Sequence, residues 1–172
     1  TQKKEIPLEA SSDHNFKRES LVSLIIMKYK SSQNIEEELS LLQSTNTIKE
    51  NVSIFEKLNI LQSKNFIGID KLNNDFIKSR NNYVKNNFLE KNINIVINFL
   101  SNFVKIKPGN LNTYEDRNLN ILLKVQNHLF AEEIDKSIKL IKSVEGNEIF
   151  FSEWVGQASL YSDFISEIKK LA

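Results

Sequence analysis

The chain has 172 residues, 40% of them hydrophobic, with a formal charge of +1 at neutral pH and no cysteine. That length suits one domain with its own core, or one domain with a loosely attached helical hairpin. The missing thiol excludes disulfides, thiolate nucleophiles and cysteine-based zinc sites, and near-neutrality leaves any electrostatic attraction to a partner local.

Residues 1–15 are polar and include Pro7, and are expected to be a mobile N-terminal segment. Ser12 or Asp13 can cap a first helix to about Lys30, with Phe16, Leu21, Leu24, Ile25 and Lys28 tracing one face. A second helix, from about Asn34 to Gln43, carries Ile35, Leu39 and Leu42 inward. A third runs from about Ile48 with Val52, Phe55, Leu58 and Leu61 on its buried side, which completes a helical hairpin region over 16–66. "NFIGID" reads as a turn with Asp70 as the next N-cap.

From Lys71 to about Ile106 the chain is helical again, with a break expected near Asn86 to Asn92. Ile93, Val96, Ile97, Leu100 and Val104 form an apolar stripe, widened by Ile95, Phe99 and Phe103. "FVKIKPGN", Phe103 to Asn110, then breaks the helical pattern with alternating basic and apolar residues that run into Pro-Gly. A helix from about Glu115 to Phe130 follows. Its hairpin partner, Glu132 to Val144, has Ile134, Ile138 and Ile141 inward and Lys136, Lys139 and Lys142 outward. Gly146-Asn147 reads as a C-cap, and a last helix spans about Glu148 to Leu171, with Phe151, Trp154, Ala158 and Tyr161 on its apolar side. The fold class expected is all-α: a bundle of about six to eight helices with a tetratricopeptide-like helical end.

Catalytic chemistry finds little to work with. The imidazoles are His14 and His128; His128 and Glu132 share i, i+4 spacing, but no third ligand is in view, and no metal is expected. Glu36-Glu37-Glu38 and Glu132-Glu133 sit in first turns, where carboxylates offset the helix dipole. The four glycines are scattered, so the sequence has no phosphate-cradling loop and no nucleotide fingerprint. "NVS" at Asn51 matches a glycosylation acceptor of the kind an Asn-rich chain produces by chance. An enzyme is not expected, no cofactor is expected, and nucleic acid is disfavoured by the balanced charge.

Residues 67–107 combine an apolar face with Lys78, Arg80, Lys85, Lys91, Lys105 and Lys107 and few acids. That is what an interfacial helix needs, with Phe99 and Phe103 entering the headgroup boundary and the cations meeting anionic lipid. The same stripe equally serves as a core-packing face. No apolar run approaches the roughly 20 residues needed to span a bilayer. Because the chain opens on Thr, we expect a fragment whose anchor lies upstream.

The order of these pieces resembles the C-terminal region of the mitofilin family, the membrane organisers of mitochondria and their bacterial relatives. "ILLKVQNHLFAEEIDKSIKLIKSVEGNEIFFSEWVGQASLYSDFISEIKKL" is similar to the family's signature, with Trp154, Ala158 and Leu160 in matching places. "GIDKLNNDFIKSRNNYV" resembles an upstream segment through Leu72 and Phe76, "INFLSNFVKIKPG" the apolar helix and basic exit, and "ESLVSLIIMKYKSSQNIEEELSLL" a preceding helical hairpin. One departure stands out: "FAEEID" lacks the glycine the family often places between the first two signature helices.

The resemblance implies a non-enzymatic membrane-organising scaffold, at the inner membrane and facing the periplasm or intermembrane space. Amphipathic helices would bind anionic membrane through Lys78, Arg80, Lys85, Lys91, Phe99, Phe103, Lys105 and Lys107. The signature over 111–172 would meet partners through Lys136, Lys139, Lys142 and Trp154. The implied partners are an outer-membrane barrel-assembly protein and further copies of the chain. The alternative is a tetratricopeptide-like adaptor that holds a peptide or protein and has no lipid role.

Overall fold

The computed structural model describes residues 9–45, 51–90, 92–102 and 114–172, with side-chain placement from residue 17 onward and excluding Asn102. Among these residues there are nine α-helices and no strand: α1 Glu9–Lys30, α2 Glu36–Thr45, α3 Val52–Gln62, α4 Ile69–Phe88, α5 Ile93–Asn102, α6 Arg117–Phe130, α7 Ile134–Ile141, α8 Asn147–Phe150 and α9 Ser152–Ile168. A 3-10 turn, Lys169–Leu171, follows. The protein is all-α, and its C-terminal end has the expected succession of helices separated by tight turns. The chain forms two compact units, one of residues 1–69 with 163–172 and the other of residues 70–162. These cut across the segments read from the sequence, because α9 contributes to both.

The first unit is built around one tyrosine. Tyr29 stacks on Phe66 at 5.1 Å and on Phe164 at 3.7 Å between ring centroids. This corrects the face expected for α1. Among its described side chains Val22, Ile25 and Tyr29 are buried, while Leu24 is exposed and Lys28 is half-buried and bonded to Glu38 of α2; the side chain of Phe16 lies outside the described set. Placing the aromatic ring inside turns the helix by about one residue from the aliphatic reading. On α3, Phe55, Leu58 and Leu61 are buried as expected, but Val52 at the first turn is exposed.

The ends of α1 and α2 show how local chemistry sets the turn. Asn34 Oδ1 accepts from Glu36 N at 2.8 Å, and the acidic run Glu36 to Glu38 occupies the first turn of α2. α1 closes with Ser32 N donating to Tyr29 O at 3.0 Å and Gln33 N to Lys28 O at 2.9 Å, which is a Schellman motif. Ser32 takes the left-handed position of that motif, with φ +55°. Its hydroxyl donates to Phe66 O at 2.8 Å and ties this turn to the loop after α3. Gly68 in that loop has φ +88°, and a Cβ there would stand 3.3 Å from Lys30 O and from Ser32 Cβ. Conformation and space both require glycine at this position.

The second unit holds an aromatic cluster against α4. Phe76 lies 5.5 Å from Trp154 and 6.1 Å from Phe151, and Tyr83 meets Phe150 edge-on at 5.4 Å. The indole Nε1 of Trp154 donates to Leu72 O at 3.1 Å. Asp70, expected as an N-cap, sits instead in the first turn of α4. α4 ends at Phe88 and α5 begins at Ile93, as the expected break requires, and Asn92 Oδ1 accepts from Asn94 N at 3.1 Å to open α5. α6 opens on Asp116, whose Oδ1 accepts from Leu119 N at 3.0 Å.

α6 and α7 pack as a hairpin through Leu122, Val125, Ile134, Ile138 and Ile141, and the buried hydroxyl of Ser137 donates to Val125 O at 3.4 Å. The missing glycine is explained in their turn. Glu132 N donates to Leu129 O and Glu133 N to His128 O, a second Schellman motif with Glu132 at φ +55°. A left-handed conformation costs an L-residue roughly 1 kcal/mol or more, a strain glycine does not feel. Glu132→Gly is therefore expected to raise stability by about 0.5–1 kcal/mol, a gain of roughly 2–4 °C in Tm. Glu132→Ala, which removes the carboxylate but keeps Cβ, should show none of this gain in the same thermal melts. Gly146, read as a C-cap, has φ +73° and directly precedes α8, and the single final helix expected from Glu148 is divided at Phe151 into α8 and α9.

Candidate functional site

The basic and aromatic residues singled out in the sequence divide into surface and interior groups. On α4, Lys78 is exposed and pairs with Asp75 at 3.5 Å, and Lys85 is exposed. Lys71 joins them: residues 71, 78 and 85 are seven apart, which puts three ammonium groups along one exposed face of the helix. The heptad spacing of the three lysines in the sequence is the signal that places Lys71 with them.

Arg80 does not belong to that face. It is only 3% exposed, and its guanidinium donates to Asn81 Oδ1 at 2.8 and 3.1 Å and to Gln126 Oε1 of α6. Burial pushes its pKa down to about 10, so it stays protonated at neutral pH. In this fold it presents no charge to a lipid headgroup. Its position was readable, since Leu72, Phe76 and Arg80 follow at i, i+4 and i+8 on the face that buries Tyr83 and Val84.

α5 splits the apolar stripe. Val96 and Phe99 are buried, and Phe99 meets Tyr114 at 5.3 Å, so Phe99 is a core residue and not a membrane anchor. Ile93 and Ile97 remain 56% and 54% exposed, and Leu89 just before the helix is 47% exposed. A stripe spanning Ile93, Ile95, Val96, Ile97, Phe99 and Leu100 is too wide for one helix to bury against one neighbour. Part of it stays at the surface. Lys91, Phe103, Lys105 and Lys107, with the whole of "FVKIKPGN", lie outside the described residues.

In the hairpin, Lys136, Lys139 and Lys142 are exposed as a row on α7, and Lys136 Nζ donates to Glu133 Oε1 at 2.5 Å. Trp154 is corrected from a contact residue to a core residue: it is buried, and its one polar atom is used by Leu72 O. Phe130 and Ile149, unremarked in the sequence, are the most exposed large apolar side chains described in this unit.

The spacing of His128 and Glu132 does not produce a site. His128 Nδ1 instead meets Glu133 Oε2 at 2.5 Å. Lys136 first, and then His128, hold the Glu133 carboxyl below its ordinary range. Among the described residues no three His, Asp or Glu side chains gather as metal ligands, and no helix is long and apolar enough to cross a membrane. The side chain of His14 lies outside the described set. The Glu36 to Glu38 run occupies its first turn as expected, with the Glu38 carboxyl lowered chiefly by its bond to Lys28. No protein-family profile, curated protein or solved structure matches the chain.

Proposed function

We propose that the chain is a non-enzymatic membrane-organising scaffold module of the mitofilin type. It binds anionic membrane surface through α4 and α5 and binds protein partners through the α6–α7 hairpin. The observation that carries this reading is the coexistence, within one unit, of the exposed lysine row Lys71, Lys78 and Lys85 with the exposed Leu89, Ile93 and Ile97. Lysines near an anionic surface contribute about 1 kcal/mol each, and the aliphatic side chains add burial at the headgroup boundary. Arg80, Phe99 and Trp154 support the surface from within. The exposed lysines of α7, with Phe130 and Ile149, supply the partner-facing side; the partners proposed are an outer-membrane barrel-assembly protein and further copies of the chain, at the periplasmic or intermembrane face of an inner membrane.

Vesicle flotation tests the lipid half. The protein is expected to float with phosphatidylglycerol-containing vesicles and not with pure phosphatidylcholine. Lys71→Glu/Lys78→Glu/Lys85→Glu should lower apparent affinity at least about tenfold with Tm little changed, because the three side chains are exposed. Undiminished flotation of that variant, or failure of the parent protein to float, rejects it and leaves the adaptor reading.

A further inference from the structure

A half-open cleft of about 580 Å³ lies in the first unit where α1 ends, α2 begins and α3 ends. Its lining is dominated by side-chain amides: Gln33 and Asn34 from the α1–α2 turn, Asn59 and Gln62 from α3, and Asn65 just beyond. Asn34 spends its oxygen on the backbone of α2. The side chains of Gln33, Asn59, Gln62 and Asn65 make no hydrogen bond to another described residue. Each therefore offers one N–H donor group and one C=O acceptor. That is the complement of a peptide unit, which carries the same pair. Asn59 and Gln62 are three apart on α3 and share a helix face, so their amides succeed one another along the wall.

The electrostatics select among peptides. Glu36 is the one charged residue among the described residues of the lining. The C-terminal ends of α1 and α3 both meet the cleft; Lys28 and Lys30 offset the partial negative charge of α1, whereas the last turn of α3 holds no basic residue and keeps its own. α2 begins there with the opposite polarity, which Glu36 and Glu37 in its first turn offset, Glu38 being paired with Lys28.

We propose that this cleft binds an extended polypeptide segment bearing a lysine or arginine, the free amides pairing with its main chain and Glu36 receiving the cation. The proposal goes beyond the lipid-binding reading, which concerns the other unit. Either can fail without the other.

The side-chain amide signals of the ¹⁵N-labelled chain report on it directly. Titration with Ac-Ala-Ala-Lys-Ala-Ala-NH₂ at millimolar concentration should shift the NH₂ resonances of Gln33, Asn59, Gln62 and Asn65. The same peptide with Glu in place of Lys should bind more weakly. Glu36→Gln should cost the lysine peptide about three- to fivefold in affinity, the worth of an exposed ion pair. Asn59→Ala/Gln62→Ala should weaken the lysine and all-alanine peptides alike by about tenfold. Glu36→Lys, a surface change that leaves the helix intact, should reverse the order of the lysine and glutamate peptides. Absence of shifts at these amides, equal binding of the lysine and glutamate peptides, or an order unchanged by Glu36→Lys overturns the proposal.

Discussion

Trp154→Ala is expected to destabilise the protein by about 3–5 kcal/mol, the range for truncating a large buried aromatic side chain. The indole is almost wholly enclosed and lies 5.5 Å from the Phe76 ring. Its removal strips contact from Phe76 and leaves a void too large for the surrounding helices to close. It also takes away the donor to Leu72 O, which bridges 82 positions of sequence. Trp154→Phe separates the two effects, keeping most of the ring and losing the N–H, at a cost nearer 1 kcal/mol for the hydrogen bond plus a smaller packing loss. Because Trp154 is the chain's only tryptophan, unfolding is best followed by far-ultraviolet circular dichroism in denaturant. A cost below about 1 kcal/mol for the alanine variant is what a surface side chain would show, and would contradict the packing described.

Arg80→Ala should rank with it, at about 2–4 kcal/mol, through a different mechanism. The guanidinium fills space inside the second unit and donates to Asn81 and Gln126. Truncation loses the packing of the aliphatic stem and leaves the Gln126 oxygen, also in the interior, without this donor. Arg80→Met, which keeps volume without the charge, should recover a large part of the loss, since the cost of burying a cation disappears with the cation. The comparison with Lys78→Ala is decisive. Lys78 is exposed on the same helix, and its loss should fall within about 0.5 kcal/mol of zero. If Arg80 and Lys78 behaved alike in thermal melts, Arg80 would be a surface cation, and the division of α4 into a lysine face and a core face would fail.

Much of the helical plan was legible because the spacing allowed one answer. On α7, Ile134, Ile138 and Ile141 against Lys136, Lys139 and Lys142 leave a single way to face the helix, and the structure adopts it. The break after Phe88 was visible in the loss of apolar periodicity there. Elsewhere periodicity gave too many candidates. α1 offered aliphatic residues on more than one side, and what decides its rotation is the space between Phe66 and Phe164, 37 and 135 positions beyond Tyr29. α5 carried more apolar residues than one face can bury, so no single-sequence pattern could say that Phe99 goes in while Ile93 and Ile97 stay out.

The candidate site was harder to read, for a related reason. A lysine or arginine in an amphipathic segment is ordinarily assigned to water, and that default sent Arg80 to the wrong side of α4. Its i+4 relation to Phe76 carried the contrary information. In the hairpin turn, absence of glycine left the geometry of the connection open. Glu132 instead occupies the same left-handed position at some energetic cost.

The path of α9 bears on how the chain is made. Phe164, Ile168 and Leu171 are buried residues of a unit that, apart from residues 163–172, lies wholly before residue 70. During synthesis the N-terminal helices leave the ribosome long before the aromatic ring that Tyr29 stacks upon has been translated. That unit must wait, unfinished, for residues 163–172, and a nascent polypeptide stalled anywhere upstream of them would be a substrate for chaperones or proteases.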